Sequence, residues 1–197
     1  LVVAEWMRKF ISGPTLYVGV SLPNKFFEIN EKIKRPYVTF IAHPGWWKNS
    51  PNNYLCAKTI SKSTDLEVFQ IGLSQLKFSK HHSKFLDRQE FVRILRQTKI
   101  YISLSIYEGS PLNILEALCA GCYVIASDIP AHREIAEKIK YKNIYLVNEF
   151  APINLTRNNF VNLKIEPIAE IHKIMKKHYN EKKFEKIFIT ALQNILS

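Results

Sequence analysis

Short apolar segments alternate with helical patterns along most of this chain, and this alternation restricts the fold more than any other feature. The apolar segments contain many β-branched and aromatic residues, and most precede residues with apolar side chains at helical spacing. Such alternation is typical of βα units on a parallel sheet. The predicted strands are residues 15–20, 36–42, 66–72, 84–86, 99–106, 123–127 and 143–147. We therefore expect an α/β fold with three layers and a mainly parallel sheet.

The predicted helices lie between and after these strands. Asp87, with Glu90 three residues later, is predicted to be the N-cap of a helix that runs to residue 97. The other predicted helices are residues 52–61, 111–120, 131–139, 166–179 and 181–196, and residues 150–163 have a loop-like sequence. The length of 197 residues fits one domain of roughly 100–200 residues. We expect residues 1–14 to be the end of a preceding domain or a linker helix, and residues 15–197 to be one Rossmann-like domain with C-terminal helices.

The chain is strongly basic, with 28 Lys and Arg against 17 Asp and Glu and a formal charge of +11. An excess of this size favours an anionic partner, which includes nucleic acid, an acidic membrane surface and phosphorylated ligands. The cations are spread along the chain with a mild concentration in residues 164–186, which is also typical of a solvated surface. One hypothesis is therefore a non-catalytic basic module that binds nucleic acid or an anionic membrane surface.

Cysteine usage favours a reducing compartment. The chain has three cysteines, and an odd number does not form a disulfide framework. Cys119 and Cys122 form a C-x-x-C at the end of an apolar helical segment, where we expect them to pack as small hydrophobic residues. A redox dithiol is the alternative. No apolar run approaches the roughly 18–20 residues of a membrane span, and we expect a cytoplasmic protein.

Residues 99–135 contain the pattern most informative about chemistry. A predicted buried strand ends near Ile106, a loop containing Glu108 and Gly109 follows, and Ser110 and Pro111 are a predicted N-cap and first helical residue. The amides at such a helix start attract phosphate, and ligands of open α/β sheets bind at this edge. Glu108 and Glu116 flank the helix start, and carboxylates accept hydrogen bonds from hydroxyl groups. The pattern favours a nucleotide sugar, although both carboxylates also fit solvent-exposed positions.

Glu108-Gly-Ser-Pro-Leu-Asn-Ile-Leu-Glu116 resembles the E-x7-E motif of GT-B glycosyltransferases, in particular the retaining family 4 enzymes. Residues 117–121, 124–127 and 130–135 are similar to the segments that follow this motif in that family. The resemblance implies that Glu116 binds the donor ribose and that Glu108 lies at the transferred sugar as the catalytic residue. The backbone of the intervening loop and helix start would hold the diphosphate and the sugar; these residues are Gly109, Ser110, Pro111, Leu112 and Asn113.

The resemblance covers only the C-terminal, donor-binding half of a GT-B enzyme. It implies transfer of a sugar, with retention, from a nucleotide-diphosphate sugar to a glycan or lipid-linked acceptor. The expected partners are the nucleotide sugar, an N-terminal acceptor domain or split-partner subunit, and the anionic inner face of the membrane. Under this hypothesis we expect no nucleic-acid partner. Without that domain we expect little or no turnover. No cofactor and no bound metal are expected.

One segment departs from the family's pattern. The family carries Gly-Arg followed by Lys-Gly after the first strand of this domain, whereas residues 42–49 here read Ala-His-Pro-Gly-Trp-Trp-Lys-Asn. Lys48 fits as the diphosphate partner, and His43 stands where the arginine is expected. A neutral imidazole does not replace the permanent charge of arginine. Trp46 and Trp47 are candidates for stacking on a sugar or base, for packing the loop, or for facing a partner domain.

Other classes of site lack their motifs in the sequence. There is no D-x-D, no G-x-G-x-x-G and no G-x-x-x-x-G-K-[ST], which argues against GT-A glycosyltransferases, dinucleotide oxidoreductases and P-loop NTPases. There is also no G-x-S-x-G, the motif of a serine hydrolase elbow. His81 and His82 have no metal-ligand spacing, and we expect them in a surface loop.

Overall fold

The computed structural model describes residues 4–12, 15, 19–28, 35–72, 79–84, 86–148 and 163–196. A six-stranded sheet forms the centre, with the strand order β3-β2-β1-β4-β5-β6, and every neighbouring pair is parallel. This confirms the predicted α/β, Rossmann-like fold. The strands are β1 (Tyr37–Ile41), β2 (Glu67–Ile71), β3 (His81–Ser83), β4 (Thr98–Ser103), β5 (Tyr123–Ser127) and β6 (Ile144–Val147).

Six α-helices connect or follow these strands within the described residues. They are α1 (Ser50–Ser63), α2 (Arg88–Gln97), α3 (Leu112–Cys119), α4 (Pro130–Lys138), α5 (Ile168–Tyr179) and α6 (Glu181–Leu196). Asp87 is the N-cap of α2, as predicted, and its side chain accepts hydrogen bonds from the backbone N–H groups of Gln89 and Glu90. No helix among the described residues is both long enough and apolar enough to cross a membrane.

The apolar core lies on both faces of the sheet. Alternate residues of β4 point to opposite faces, as the two-residue period of a strand requires. Tyr101 packs in the cluster that contains α3 and part of α5, whereas Ile100 and Ile102 pack in the cluster that contains α1. Burial on both faces explains why three consecutive apolar residues, Ile100, Tyr101 and Ile102, stand at the centre of β4.

The order of the strands reverses between β1 and β4. From β1 the chain proceeds to β2 and β3 on one side, and it then returns to β4 and proceeds to β5 and β6 on the other. β1 and β4 are nonetheless direct neighbours, with Val38 opposite Ile100 and Phe40 opposite Ile102. The connections that leave the carboxyl ends of these two strands diverge, which opens a crevice at that edge. The gap between the loops after β1 and β4 is therefore the position at which open α/β sheets generally bind ligands.

Several predicted elements differ from the structure. β3 lies at residues 81–83 rather than 84–86, so His81 and His82 belong to an edge strand and not to a loop. Its pairing with β2 depends on contacts to the sheet, including His81 Nε2 to a Glu67 oxygen at 2.6 Å, which no local pattern shows. Within residues 1–14, expected to be the end of a preceding domain or a linker helix, the described residues form a 3-10 helix, Glu5–Phe10. Residues 16–18 of the predicted first strand and residues 150–162 of the predicted loop lie outside the described residues.

The cysteines pack in the core, as predicted for Cys119 and Cys122. All three side chains are buried as free thiols. Burial raises the pKa of Cys122 to about 12, and its Sγ donates a hydrogen bond to the Leu95 carbonyl at 3.3 Å. A thiol with a raised pKa is not a nucleophile at neutral pH, so the C-x-x-C is a packing feature in this structure.

Candidate functional site

An ion pair joins the two loops at the reversal of the strand order. A 3-10 helix, Trp46–Lys48, follows β1, and Glu108 lies in the loop after β4. Lys48 Nζ is 2.6 Å from Glu108 Oε1. The Lys48 side chain is 30% exposed and the Glu108 side chain is 11% exposed. The backbone N–H of Ile106 also donates to the Trp47 carbonyl at 2.7 Å. The structure thus brings together Lys48 and Glu108, two predicted site residues that are far apart in the sequence.

Asn53 joins these two loops through hydrogen bonds to their backbone groups. Its side chain is buried, its Nδ2 donates to the Lys48 carbonyl at 2.9 Å, and its Oδ1 accepts from the Leu104 N–H at 2.7 Å. Both partners are backbone groups, one in the loop after β1 and one directly after β4, so Asn53 adds to the contacts that join these two segments. Sequence analysis did not identify Asn53, because an asparagine in a helix gives no local sign of such long-range contacts.

Glu116 occupies a different position from Glu108. It lies in the second turn of α3 and is 2% exposed, and its carboxylate forms an ion pair with the Arg88 guanidinium at the start of α2. Arg88 also lies over the Phe26 ring, 4.9 Å from its centroid. A buried carboxylate is costly unless it is paired, so Arg88 supplies the charge that Glu116 requires. Sequence analysis did not identify Arg88 as a site residue. The signal available in the sequence was its position directly after the predicted N-cap Asp87, which places it at the start of α2.

The segment from Gly109 to Asn113 begins α3 one residue later than predicted. Pro111, not Ser110, is the N-cap, and it has no side-chain hydrogen bond of the capping type; helix ends assigned by hydrogen bonds commonly differ by this much. The Gly109 carbonyl accepts a hydrogen bond from Trp6 Nε1 at 3.1 Å. Leu112, the first helical residue, is 43% exposed. The helix start therefore lies at the surface beside the Glu5–Phe10 helix.

Asn113 faces a cleft of about 250 Å³. Its Nδ2 donates to the Tyr101 hydroxyl at 2.9 Å, and burial raises the pKa of that phenol, which keeps the hydroxyl neutral. Polar side chains from the ends of β1 and β4 alternate with apolar ones along the walls. The lining residues are Ile41, His43, Lys48, Asn53, Tyr101, Ile102, Ser103, Ser105 and Asn113. The cleft and the ion pair thus share one edge of the sheet.

His43 closes a turn rather than presenting a fixed charge. Its Nδ1 accepts a hydrogen bond from the Gly45 N–H at 3.0 Å, and its backbone N–H and carbonyl both bond to the Ser50 hydroxyl at 2.9 Å. The imidazole also forms part of the cleft wall. Lys48 is consequently the side chain that brings a permanent positive charge to this loop.

His132, which sequence analysis did not identify, lies buried behind the ion pair. It is in the first turn of α4, and its Nδ1 is 2.9 Å from the Ser127 carbonyl. This contact fixes the proton on Nδ1, since a carbonyl only accepts. Nε2 is buried and has no hydrogen-bond partner among the described residues. Burial is the main cause that lowers its pKa to about 4, and the charges of Glu108 and Lys48 also act on it.

The family comparison matches this part of the molecule. The model of the family described as "Glycosyl transferases group 1" matches residues 23–157, which is more than half of the chain. The chain belongs to this family. The matched range contains all the site residues predicted from the resemblance, from Lys48 to Glu116, and it includes the whole six-stranded sheet. The sequence-based assignment to the group 1 glycosyltransferases is therefore confirmed.

Solved structures with the same fold are also glycosyltransferases. TarM from S. aureus, crystallised as a point mutant with fondaparinux, α-GlcNAc-glycerol and UDP, has a TM-score of 0.73 at 16% identity, over 96% of this chain and 42% of TarM. Sucrose-phosphate synthase from Thermosynechococcus elongatus has a TM-score of 0.72 at 13% identity, over 99% and 57%. The pneumococcal O-GlcNAc transferase GtfA, in complex with UDP and GlcNAc, has a TM-score of 0.67 at 14% identity, over 98% and 42%.

These likenesses establish the fold. The chain spans about half the length of the solved glycosyltransferases that it resembles. A comparison with curated protein sequences gives no match. The family and the architecture of this domain are therefore shown by two comparisons.

Proposed function

We propose that this chain is the donor-binding half of a retaining glycosyltransferase, which moves a sugar from a nucleotide-diphosphate sugar to a glycan or lipid-linked acceptor. The observation that carries the proposal is the Lys48–Glu108 ion pair at the reversal of the strand order. Ligands of open α/β sheets bind at this point, and a cation beside a hydroxyl-binding carboxylate suits a phosphorylated sugar. Family membership and structural neighbours crystallised in complex with UDP support the same class of donor.

Each charged group has a separate role in this proposal. Lys48 contacts the diphosphate together with the start of α3, Glu108 faces the transferred sugar, and Glu116 accepts the ribose hydroxyls. An ammonium group has three N–H donors, so Lys48 can bond to Glu108 and to phosphate oxygens at the same time. Arg88 shares Glu116 with the ribose, because a carboxylate has about four lone-pair sites and one guanidinium does not use all of them.

Catalysis would then consist of positioning and of stabilising the departing diphosphate. Lys48 is placed to stabilise negative charge as it develops on the leaving group, and the dipole at the start of α3 adds about half a positive charge. The cleft of about 250 Å³ is smaller than the roughly 300–1,000 Å³ of complete ligand pockets. We therefore propose that an acceptor domain or partner subunit completes the site, and that this chain alone binds donor but turns over little.

Calorimetric titration with UDP, GDP and ADP tests the proposal. We expect selective binding of one nucleotide, and Glu116→Gln should weaken that binding roughly five- to a hundred-fold, because one charged acceptor for the ribose hydroxyls is lost. Glu185→Gln removes an exposed carboxylate from α6 and is the matched control, which should bind like the wild type. Unfolding curves of each variant establish that the chain is folded.

Lys48→Met separates the diphosphate contact from the nucleoside contacts. It should weaken the binding of the selected nucleoside diphosphate and leave the weaker binding of the corresponding nucleoside unchanged. If no nucleotide binds, or if all three bind alike and Glu116→Gln changes nothing, the donor-binding assignment is wrong. A uniform affinity that falls steeply with salt would instead support the basic-module hypothesis.

A further inference from the structure

Three exposed aromatic side chains lie beside the Lys48–Glu108 pair and have no role in the function proposed above. The Trp46 ring meets the Trp47 ring edge-on, with centroids 6.3 Å apart, and meets the Tyr107 ring edge-on at 5.7 Å. Their side chains are 68%, 40% and 64% exposed, in the order Trp46, Trp47, Tyr107. We infer that this aromatic cluster is a stacking subsite for a pyranose ring at the edge of the donor site.

The cluster is held by both loops of the site. Trp47 packs against Gly45, where a Cβ would lie 2.6 Å from the indole ring, and it contacts the His43 ring with centroids 5.9 Å apart. The hydrogen bond from Ile106 to the Trp47 carbonyl and the Lys48–Glu108 pair join the two loops directly beside it. The Trp47 ring is thus held in place before a ligand arrives, which lowers the cost of ordering it on binding.

A pyranose ring fits the chemistry of this surface. It presents a face of C–H groups, which packs on an aromatic ring, and a rim of hydroxyl groups, which both donate and accept hydrogen bonds. Tyr107 directly precedes Glu108 and Trp47 directly precedes Lys48, so a hydrogen-bond acceptor and a donor are each one residue away from the cluster along the chain. Exposed aromatic patches with a polar rim are typical of binding sites.

The sugar has two sources, the transferred sugar of the donor or a sugar of the acceptor, and this distinction rests on the function proposed above. A ring stacked on the cluster while the nucleotide site is filled with nucleotide alone would belong to the acceptor. A ring covalently linked to the nucleotide would exclude a free pyranoside from the same surface.

Fluorine NMR of the chain labelled with 5-fluorotryptophan tests the inference. The chain has three tryptophans. Trp46 and Trp47 report on the cluster, whereas Trp6, whose Nε1 bonds to the Gly109 carbonyl, reports on the donor loop. The probes are the methyl pyranosides of glucose, galactose, mannose and N-acetylglucosamine. At least one should shift the Trp46 and Trp47 resonances to saturation. Trp46→Ala should weaken that binding roughly two- to tenfold, whereas Tyr145→Ala, which removes an exposed aromatic residue from β6, should not.

The outcomes separate the inference from the proposed function. Absence of a shift with all four pyranosides, or equal weakening by both variants, overturns the stacking subsite and leaves the cluster as a contact surface for protein. If the selected pyranoside still shifts Trp46 when the nucleoside diphosphate selected by calorimetry is saturating, the subsite takes the acceptor sugar. If the glucose conjugate of that nucleotide shifts Trp46 beyond the nucleotide alone and displaces the pyranoside, the subsite takes the transferred sugar. Failure of UDP, GDP and ADP alike to bind would refute the donor site, while the pyranoside titration would still test the stacking subsite.

Discussion

Acidification should destabilise this domain through one buried imidazole. His132 is fully buried, and burial lowers its pKa from 6.5 to about 4. The folded state therefore binds this proton more weakly than the unfolded state does. As a result, the free energy of unfolding is at its full value above pH 6.5 and decreases as the pH falls toward 4. At about 1.4 kcal/mol for each tenfold change in proton affinity, the total effect is about 3 kcal/mol.

The charges around His132 do not reverse the direction of its pKa shift. Glu108 and Asp128 favour the protonated ring, and Lys48 opposes it, but desolvation is the largest effect. The Ser127 carbonyl accepts from Nδ1 in the neutral and the charged ring alike, while the second proton would lie on Nε2, which has no described partner. Protonation therefore buries an uncompensated donor and a charge together, and the native state resists it.

Urea unfolding of the wild type and of His132→Gln, followed by tryptophan fluorescence, measures the effect. The wild type should exceed the variant in free energy of unfolding at about pH 7.5, and that excess should shrink by about 2.5 kcal/mol at about pH 4.5. Carboxylates that titrate in the same range affect both proteins and cancel in the difference. A difference that stays constant with pH would refute the assignment of a lowered pKa to His132.

Three further predictions concern the framework of the site. Asp87→Ala should lower the free energy of unfolding by about 1 kcal/mol, measured by urea denaturation, because α2 loses its N-cap, and Asp87→Asn should retain most of that stability. Cys122 should react with a thiol reagent only after unfolding, followed spectroscopically, since its pKa is raised to about 12 in the core. Arg88→Met should lower the free energy of unfolding, measured by urea denaturation, because the buried Glu116 carboxylate loses its counter-ion; Arg93→Met, which removes an exposed cation from the same helix, should not.

Local patterns predicted much of the architecture. β5 was predicted at its observed bounds, since an apolar run with β-branched residues stands between a glycine turn and an Asp-Ile-Pro start of the next helix. Asp87 was identified as a cap because its partners are two and three residues away. The E-x7-E segment falls on the loop and helix expected for it. In each of these cases, the information lies within a few residues of sequence.

Contacts across the fold were not predictable in this way. The Arg88–Glu116 pair, the two hydrogen bonds of Asn53 and the bond from Trp6 to the Gly109 carbonyl all join distant segments. Each depends on strand order and on how neighbouring loops pack, which a single sequence does not encode locally. The bounds of β3 were wrong for the same reason, because a three-residue edge strand is defined by its neighbour and not by its own residues.

In the proposed donor site, one loop lysine, Lys48, stands where the family's pattern has two cations. Lys48 and Arg88 are each paired with a carboxylate, Glu108 and Glu116 respectively, so these four groups balance before a ligand arrives. A diphosphate then brings negative charge that the pairs do not compensate. The dipole of α3 and the field of a chain with formal charge +11 act on that charge from further away. Donor affinity should therefore depend more on long-range charge, and hence on ionic strength, than a site with a bidentate arginine would.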